Sequence, residues 1–253
     1  MPPALDVDKS VLQNQDLLEE QLARDIGVGP GAKVLDLGCG CGAIGGHIAE
    51  ITGCSVYGIN IDKSQIQKAQ KTKDPERFNF SVGNFNEPLA FRDGMFDGVY
   101  NVQALTYATD LVATLKEAYR VLKPGGMFFS NDVAALDPYD RDDPHHKALI
   151  QHTRELTAFG GFWHHRYWEQ ALELAGFELV ASQGKSAVEM IKKENALYNK
   201  FEFTFTSLAK VRVIPRKIDA MMRRMNANCQ SYIEAEERGL LTLNWRLVGR
   251  KPG

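Results

Sequence analysis

Three glycines at alternate positions, Gly38-Cys39-Gly40-Cys41-Gly42, follow directly on the short apolar run Lys33-Val34-Leu35-Asp36-Leu37. A helical pattern, Ala43 to Ile51, comes next. Glycine accepts backbone angles that other residues avoid, and it has no Cβ to hold a ligand away from the main chain. The stretch therefore reads as strand, tight turn and helix, with a small molecule lying against the turn. Units of this kind build open α/β sheets, which bind ligands beyond the carboxyl ends of their strands.

Two ligand classes suit such a turn. A dinucleotide places its pyrophosphate on the helix N-terminus, and Gly40-x-Gly42-x-x-Gly45 is a literal dinucleotide fingerprint. S-adenosylmethionine has no phosphate and lays its amino-acid part and ribose on the same loop. Asp36 discriminates between them. A carboxylate two residues before the first glycine repels a pyrophosphate and attracts the cationic amino-acid end of S-adenosylmethionine. The competing reading of Asp36 is a residue that serves only the turn or the helix dipole.

The rest of the first half repeats the alternation. Ser10 to Ile26 carries Leu12, Leu17, Leu18, Leu22 and Ile26, an apolar helical stripe that Gly29-Pro30-Gly31 stops. Strands are predicted at Ser55–Ile59, Phe78–Val82, Phe96–Val102 and Met127–Asn131, with a helix at Asp110–Leu122 before Lys123-Pro124-Gly125-Gly126. Asp62 can cap the next helix, with Gln65 placed for a capping box. Short strand–helix alternation means a parallel sheet with helices on both faces. Beyond Asp132 an acidic, turn-rich stretch, Asp137 to Asp143, precedes Pro144. A helix at Tyr167–Ala175, a strand at Phe177–Ser182, a largely helical Glu189–Tyr232 and a last strand at Leu240–Val248 complete the chain. The expected division is a helical cap at 1–28, a cofactor-binding core at 29–183, a helical substrate-cap insertion at 184–239 and the final core strand at 240–253.

Composition removes several classes. The 253 residues suit one large α/β domain. A formal charge of −2 gives no global attraction to nucleic acid, so none is expected as a partner. No apolar run reaches the ~18 residues that a membrane helix needs, and Met1-Pro2-Pro3 lacks the basic head of a signal peptide. A cytoplasmic protein is expected. Cys39, Cys41, Cys54 and Cys229 read as reduced, small packing residues, because Cys39-x-Cys41 has neither zinc nor redox spacing. The adjacent pairs His145-His146 and His164-His165 do not suggest a metal, since neighbours on a helix point apart and no carboxylate spacing completes a shell. Lys192, Lys193, Lys200, Lys210, Arg212, Arg216, Lys217, Arg223 and Arg224, interleaved with Phe201, Phe203, Phe205 and Val213, form a basic insert. It is either a surface for peripheral membrane contact or an acidic ligand, or a solvated helix face.

Val34 to Gly42, Phe96-Asp97-Gly98-Val99 and Tyr119 to Gly126 together resemble the motif series of class I S-adenosylmethionine-dependent methyltransferases. The resemblance implies a Rossmann-like class I methyltransferase fold: a mostly parallel seven-stranded sheet, helices on both faces, and a helical substrate cap. Tyr57-Gly58-Ile59-Asn60-Ile61-Asp62-Lys63-Ser64-Gln65-Ile66, Asp132, and Asp137 to Lys147 narrow it, being similar to the sterol 24-C-methyltransferase family. The aromatic segment that this family carries ahead of its cofactor domain is not matched here. Where that family usually has a glutamate and, four residues later, a histidine after the fourth strand, this chain has Gln103 and Tyr107.

The cofactor implied is S-adenosyl-L-methionine, bound by Asp36, Gly38, Cys39, Gly40, Gly42, Asn60, Ile61, Gln65, Asn84, Phe85, Asn101 and Gln103. Asn60 is the expected ribose ligand, with Asp62 as either a second one or a plain helix cap. Asn84 and Phe85 are expected on the adenine; a simple turn asparagine is the alternative. Asp132, just past the fifth strand, is the leading acid–base candidate, against a loop cap. Tyr107 and His146 are further catalytic candidates, and packing is an equal reading for Tyr107. Phe162, Trp163, Tyr167 and Trp168 read as cap packing. The acceptor expected is a sterol-like or isoprenoid lipid methylated at carbon, or else a small polar metabolite methylated at nitrogen, oxygen or sulfur. A homodimer is a further expectation.

Overall fold

The computed structural model describes residues 1–193 and 216–253. Its elements in chain order are α1 (Val11–Ile26), β1 (Lys33–Leu37), α2 (Ala43–Thr52), β2 (Ser55–Asn60), α3 (Lys63–Thr72), β3 (Phe78–Val82) and β4 (Phe96–Val102). A 3-10 turn (Leu105–Tyr107), α4 (Leu111–Val121), β5 (Leu122–Ala135), α5 (Pro144–Thr157), α6 (His165–Leu174), β6 (Glu178–Gly184), α7 (Arg216–Glu237) and β7 (Leu241–Arg250) follow.

The seven strands form one sheet in the order β3-β2-β1-β4-β5-β7-β6. The first five are parallel, while β7 runs antiparallel between β5 and β6. The order reverses between β1 and β4, and such a switch point opens a crevice at the strands' carboxyl ends. The loops ending β1, β2, β3, β4 and β5 therefore gather on one edge.

Local signals account for most boundaries. Ser10 and Gln13 form a reciprocal capping box at the start of α1. At α3 the expected box does not form: Asp62 accepts from the Ser64 and Gln65 amides, but the Gln65 side chain turns away to Asn60. The strand expected at Met127–Asn131 is longer, because Leu122 already pairs with Phe96 before a register shift and the far end continues to Ala135 against β7. The helix α5 was not anticipated beyond its boundary at Pro144. Asp143 caps it with Pro in its first turn, a standard helix start.

Alternate strand residues supply the two faces. Leu35, Leu37, Phe96, Val99 and Phe128 pack with α4 and α6 on one side, around Trp168. Val34, Val56, Tyr100 and Phe129 pack with α1, α2 and α3 on the other. Each fully buried aromatic or leucine of this kind contributes about 1.5–3 kcal/mol by leaving water. A third cluster, with Leu149, Ile150, Phe159, Ile191, Tyr232 and Leu243, joins α5 and α7 to the end of β7. Trp168, only 1% exposed, and Trp163, edge-on against it, belong to the sheet-face core rather than the cap; Phe162 packs in the third cluster, and Tyr167 is exposed.

Candidate active site

The glycine turn sits at the carboxyl end of β1. Gly38 has φ 87° and Gly42 has φ 75°, both left-handed. A Cβ on Gly38 would lie 2.5 Å from the Ala104 Cβ, and one on Gly42 would lie 2.7 Å from the Phe80 ring. The turn is thus wedged between β3 and the loop after β4, and only glycine fits. The Gly38 and Cys39 amides both donate to the Ile59 carbonyl, and the Gly42 amide to that of Cys39.

Asp36 lies beneath this turn, 3% exposed. The Tyr100 hydroxyl donates to its Oδ2 at 2.9 Å. Burial pushes the carboxyl up to about 7, the Tyr100 hydrogen bond works the other way, and the charge of Glu19 adds to the rise. Glu19 is itself buried, held by Gln15 and by His47 Nδ1 at 2.6 Å.

Asn60 and Gln65 meet at the end of β2, where Asn60 Nδ2 donates to Gln65 Oε1 at 2.8 Å. That oxygen is 3.6 Å from where a Gly40 Cβ would stand, so Gly40, Asn60 and Gln65 share one wall. Phe85 borders the same turn, 3.9 Å from the Gly38 Cβ position.

Asp132, 3% exposed, ends the parallel part of β5. Its Oδ2 accepts from Asn101 Nδ2 at 2.9 Å, the Ala104 amide at 3.1 Å and the Leu105 amide at 2.9 Å. Its Oδ1 accepts from the Val133 amide at 3.2 Å. Burial raises this carboxyl to about 7 against the pull of those four hydrogen bonds. Asp132 therefore caps the 3-10 turn and also borders a cavity of about 490 Å³. Val133, Leu156, Phe159, Ile191, Met225, Tyr232 and Leu243 give that cavity a largely apolar wall, with Gln103, Tyr107, Asn226 and Cys229 among its polar groups. Its size and lining suit a small organic ligand.

The methyltransferase-domain family matches residues 29–206. This chain belongs to that family. The methyltransferase domain is also similar to sterol 24-C-methyltransferases. The Aspergillus fumigatus protein is 38% identical over 135 residues, 52% of this chain and 36% of that one. The Saccharomyces cerevisiae protein is 34% identical over 169 residues, 65% of this chain and 44% of that one. The chain thus spans less than half the length of these two relatives. Among solved structures, the geranyl diphosphate C-methyltransferase of Streptomyces coelicolor A3(2) superposes with a TM-score of 0.74 at 14% identity, covering 97% of this chain and 82% of that one. A sarcosine dimethylglycine methyltransferase from Galdieria sulphuraria gives 0.73 at 21% identity, covering 95% and 86%. These likenesses show the fold, the Rossmann-like arrangement expected from the motifs.

Within this methyltransferase domain the expected residues divide. Gly38, Gly40, Gly42, Asn60, Gln65 and Phe85 gather around the glycine turn, and Ile61 stands exposed beside it. Asp62 is a helix cap. Asn84 makes an asparagine turn, its Oδ1 accepting from the Asn86 amide and its Nδ2 donating to Glu87, so its side chain is not free for a ring edge. Cys39 turns inward: it is buried against Gly58, and burial pushes its thiol up, which keeps it protonated. Asn101 is fully buried behind Asp132 and positions that carboxylate rather than facing the crevice. Gln103, at φ 53°, lies on the cavity wall and exchanges hydrogen bonds with Met1.

Tyr107 also borders the cavity, but its hydroxyl donates to the Ala158 carbonyl. His146 is absent from the cavity lining: it stacks on Tyr139, and its Nδ1 accepts from the Asp140 amide. Sequence reasoning missed Tyr100, the partner of Asp36, because a tyrosine inside a strand gives no sign of which face it occupies until register is known. It also missed the facing of the paired histidines. Asp137 Oδ1 is 3.2 Å from His164 Nε2 and 3.3 Å from His165 Nε2, since His164 caps α6 instead of lying within it. The Arg166 amide donates to His164 Nδ1, and the Arg166 guanidinium donates to Asp137 Oδ2. Asp137, His164 and His165 thus bring one ligand-type atom each to within 4.8 Å of one another, which the reading of the sequence did not anticipate. In the basic insert, Lys200, Phe201, Phe203, Phe205, Lys210, Arg212 and Val213 lie outside the described residues, as do the side chains of Arg216 and Lys217.

Proposed function

We propose that this chain transfers a methyl group from S-adenosyl-L-methionine to an apolar acceptor, a sterol-like or isoprenoid lipid methylated at carbon. The observation that carries the reading is the apolar cavity at the ends of β4 and β5, bordered by Asp132 and reached from the same sheet edge as the glycine turn. The names of the sterol-methylating relatives and of the geranyl diphosphate C-methyltransferase support the same acceptor class.

The crevice residues fit S-adenosylmethionine. The glycine turn admits a ligand to the main chain, Asn60 and Gln65 offer amide groups to a ribose diol, Phe85 offers an apolar face, and Asp36 sets a carboxyl beneath the cationic end. When bound, this cofactor supplies an electrophilic methyl carbon on a sulfonium sulfur. The cavity walls keep water away and hold the acceptor for in-line attack, with about 3 Å between the reacting atoms. An alkene carbon that took this methyl, as the C–S bond broke and its electron pair stayed on sulfur, would carry positive charge, which the rings of Tyr107, Phe159 and Tyr232 on the cavity wall would stabilise. Asp132 takes the departing proton on Oδ1, its Oδ2 being held by three donors.

Asn226 favours a second reading, a small polar acceptor methylated at nitrogen, oxygen or sulfur: its Oδ1 is buried at the cavity wall without a partner. Transfer of labelled methyl to a panel of sterols, isoprenoids and polar amines separates the two. Titration with S-adenosylhomocysteine and with NADH tests the cofactor. Tight NADH binding without S-adenosylhomocysteine binding refutes the proposal.

A further inference from the structure

A second cleft, of about 770 Å³, lies between α5 and the segment that follows β5. Lys147, Gln151 and Arg154 border it from α5 at i, i+4 and i+7, the spacing of one helix stripe. Arg141, His164 and Tyr139 border it from the other side. The charges of Arg141 and Arg154 reach the Tyr139 hydroxyl, as do those of Asp140 and Asp142. Phe159 on the acceptor cavity and Phe162 on this cleft pack together, 5.6 Å between ring centres, so aromatic rings separate the two spaces.

Arg120, Arg166, Arg238, Arg246 and Arg250 each hold a carboxylate. Arg141, Lys147 and Arg154 make no ion pair among the described residues, and the Arg154 Nε is buried with no hydrogen-bond partner while its guanidinium lies over the Phe159 ring. In the preceding acidic stretch, Asp137 pairs with Arg166, Asp140 accepts from the Asp142 amide, and Asp143 accepts from the His145 and His146 amides, while the Asp142 carboxylate is exposed to solvent. Among the described residues no carboxylate lines the cleft. Three like charges around one hollow repel one another, and a partly buried guanidinium without an acceptor is costly. A multiply charged anion relieves both, and the planar fork of arginine matches phosphate oxygens in pairs.

We propose that this cleft binds a phosphate-bearing anion through Arg141, Lys147 and Arg154, at a site separate from the methyl-transfer cavity. The phosphate belongs either to a free phosphate or diphosphate compound or to a lipid headgroup, and the two sources share this chemistry.

The test titrates the full chain calorimetrically with inorganic phosphate and pyrophosphate at low salt, and sediments it with phosphatidic acid and phosphatidylcholine vesicles. Arg141→Gln with Lys147→Gln removes two exposed cleft charges. Lys63→Gln with Arg92→Gln, also exposed and away from the cleft, removes the same net charge. Pyrophosphate or phosphate binding that weakens at least tenfold in the first double variant and not in the second supports the proposal and assigns a free anion. Binding only to phosphatidic acid vesicles, with the same variant pattern, supports it and assigns a headgroup. No binding to any phosphate probe, equal binding to phosphatidylcholine, or equal losses in the two double variants overturns it.

Discussion

Asp36 offers the sharpest test of the electrostatics beneath the glycine turn. Burial lifts its carboxyl from 3.8 to about 7. Three pH units at ~1.4 kcal/mol each put the penalty for the ionised form near ~4 kcal/mol in the folded chain. The folded pKa is raised, so the folded state holds this proton more tightly than the unfolded one. Its stabilising contribution is full below pH about 4 and is lost as pH rises through about 7. A cation bound above the carboxyl reverses the balance by favouring the ionised form. The Kd of S-adenosylmethionine should therefore fall about tenfold per pH unit as pH rises toward 7 and level off above it, the proton being released on binding. Asp36→Asn keeps the shape and an acceptor for Tyr100 but removes the charge. It should flatten this pH dependence and weaken binding at pH 8 by about 10- to 150-fold, the worth of a charged hydrogen bond at ~1.5–3 kcal/mol. Without ligand, Asp36→Asn should gain stability over the parent chain as pH rises from 4 to 7. Calorimetric titration and urea unfolding at several pH values measure both effects. A flat Kd between pH 5.5 and 8 in the parent chain, or near-normal affinity in Asp36→Asn, would show that this carboxyl does not meet the donor.

Four further outcomes follow from the geometry. Asp132→Ala orphans Asn101 Nδ2 and the Ala104 and Leu105 amides; at ~1–3 kcal/mol for each buried group it should cost several kcal/mol in urea unfolding, with Asp132→Asn much milder. Gly42→Ala meets the Phe80 ring at 2.7 Å as well as an unfavourable φ, whereas Gly94→Ala, at φ 60°, meets nothing within 4 Å. The first should lose about 2–4 kcal/mol and the second about 1–2, read from thermal unfolding. Arg246 holds Asp25 through two hydrogen bonds of 2.6 and 2.7 Å between β7 and α1; with both side chains about 15% exposed, Arg246→Ala should destabilise by about 3 kcal/mol. Leu156→Trp narrows the acceptor cavity and should abolish methyl transfer while S-adenosylhomocysteine affinity, measured by calorimetry, stays within about twofold, since Leu156 borders only that cavity.

The glycine turn and its neighbours were legible in the linear chain where they depended on main-chain conformation. Gly38, Gly40 and Gly42 announce a left-handed turn whatever surrounds them, and Asn60 and Gln65 stand at fixed distances from a strand end and a helix start. Asp132 was legible by position but not by role. The competition between loop cap and acid–base group turns on which donors reach its Oδ2, and two of those, Ala104 and Leu105, come from a loop after another strand. The facing of His146 was not legible, because only the placement of helix α5 turns it toward Tyr139. The local turn at Asn84 was one of its two readings, and the structure shows that turn formed.

Periodicity and glycine placement, both local properties of the chain, determined the alternating elements, the seven strands and the ligand turn. Strand register and the packing of α5 and α7 over the sheet edge decided the rest: the pairing of Asp36 with Tyr100, the apolar cavity beside Asp132, and the cations beside α5. These depend on contacts between residues far apart in sequence. Burial and charge act through distance in space, and no local pattern encodes that distance.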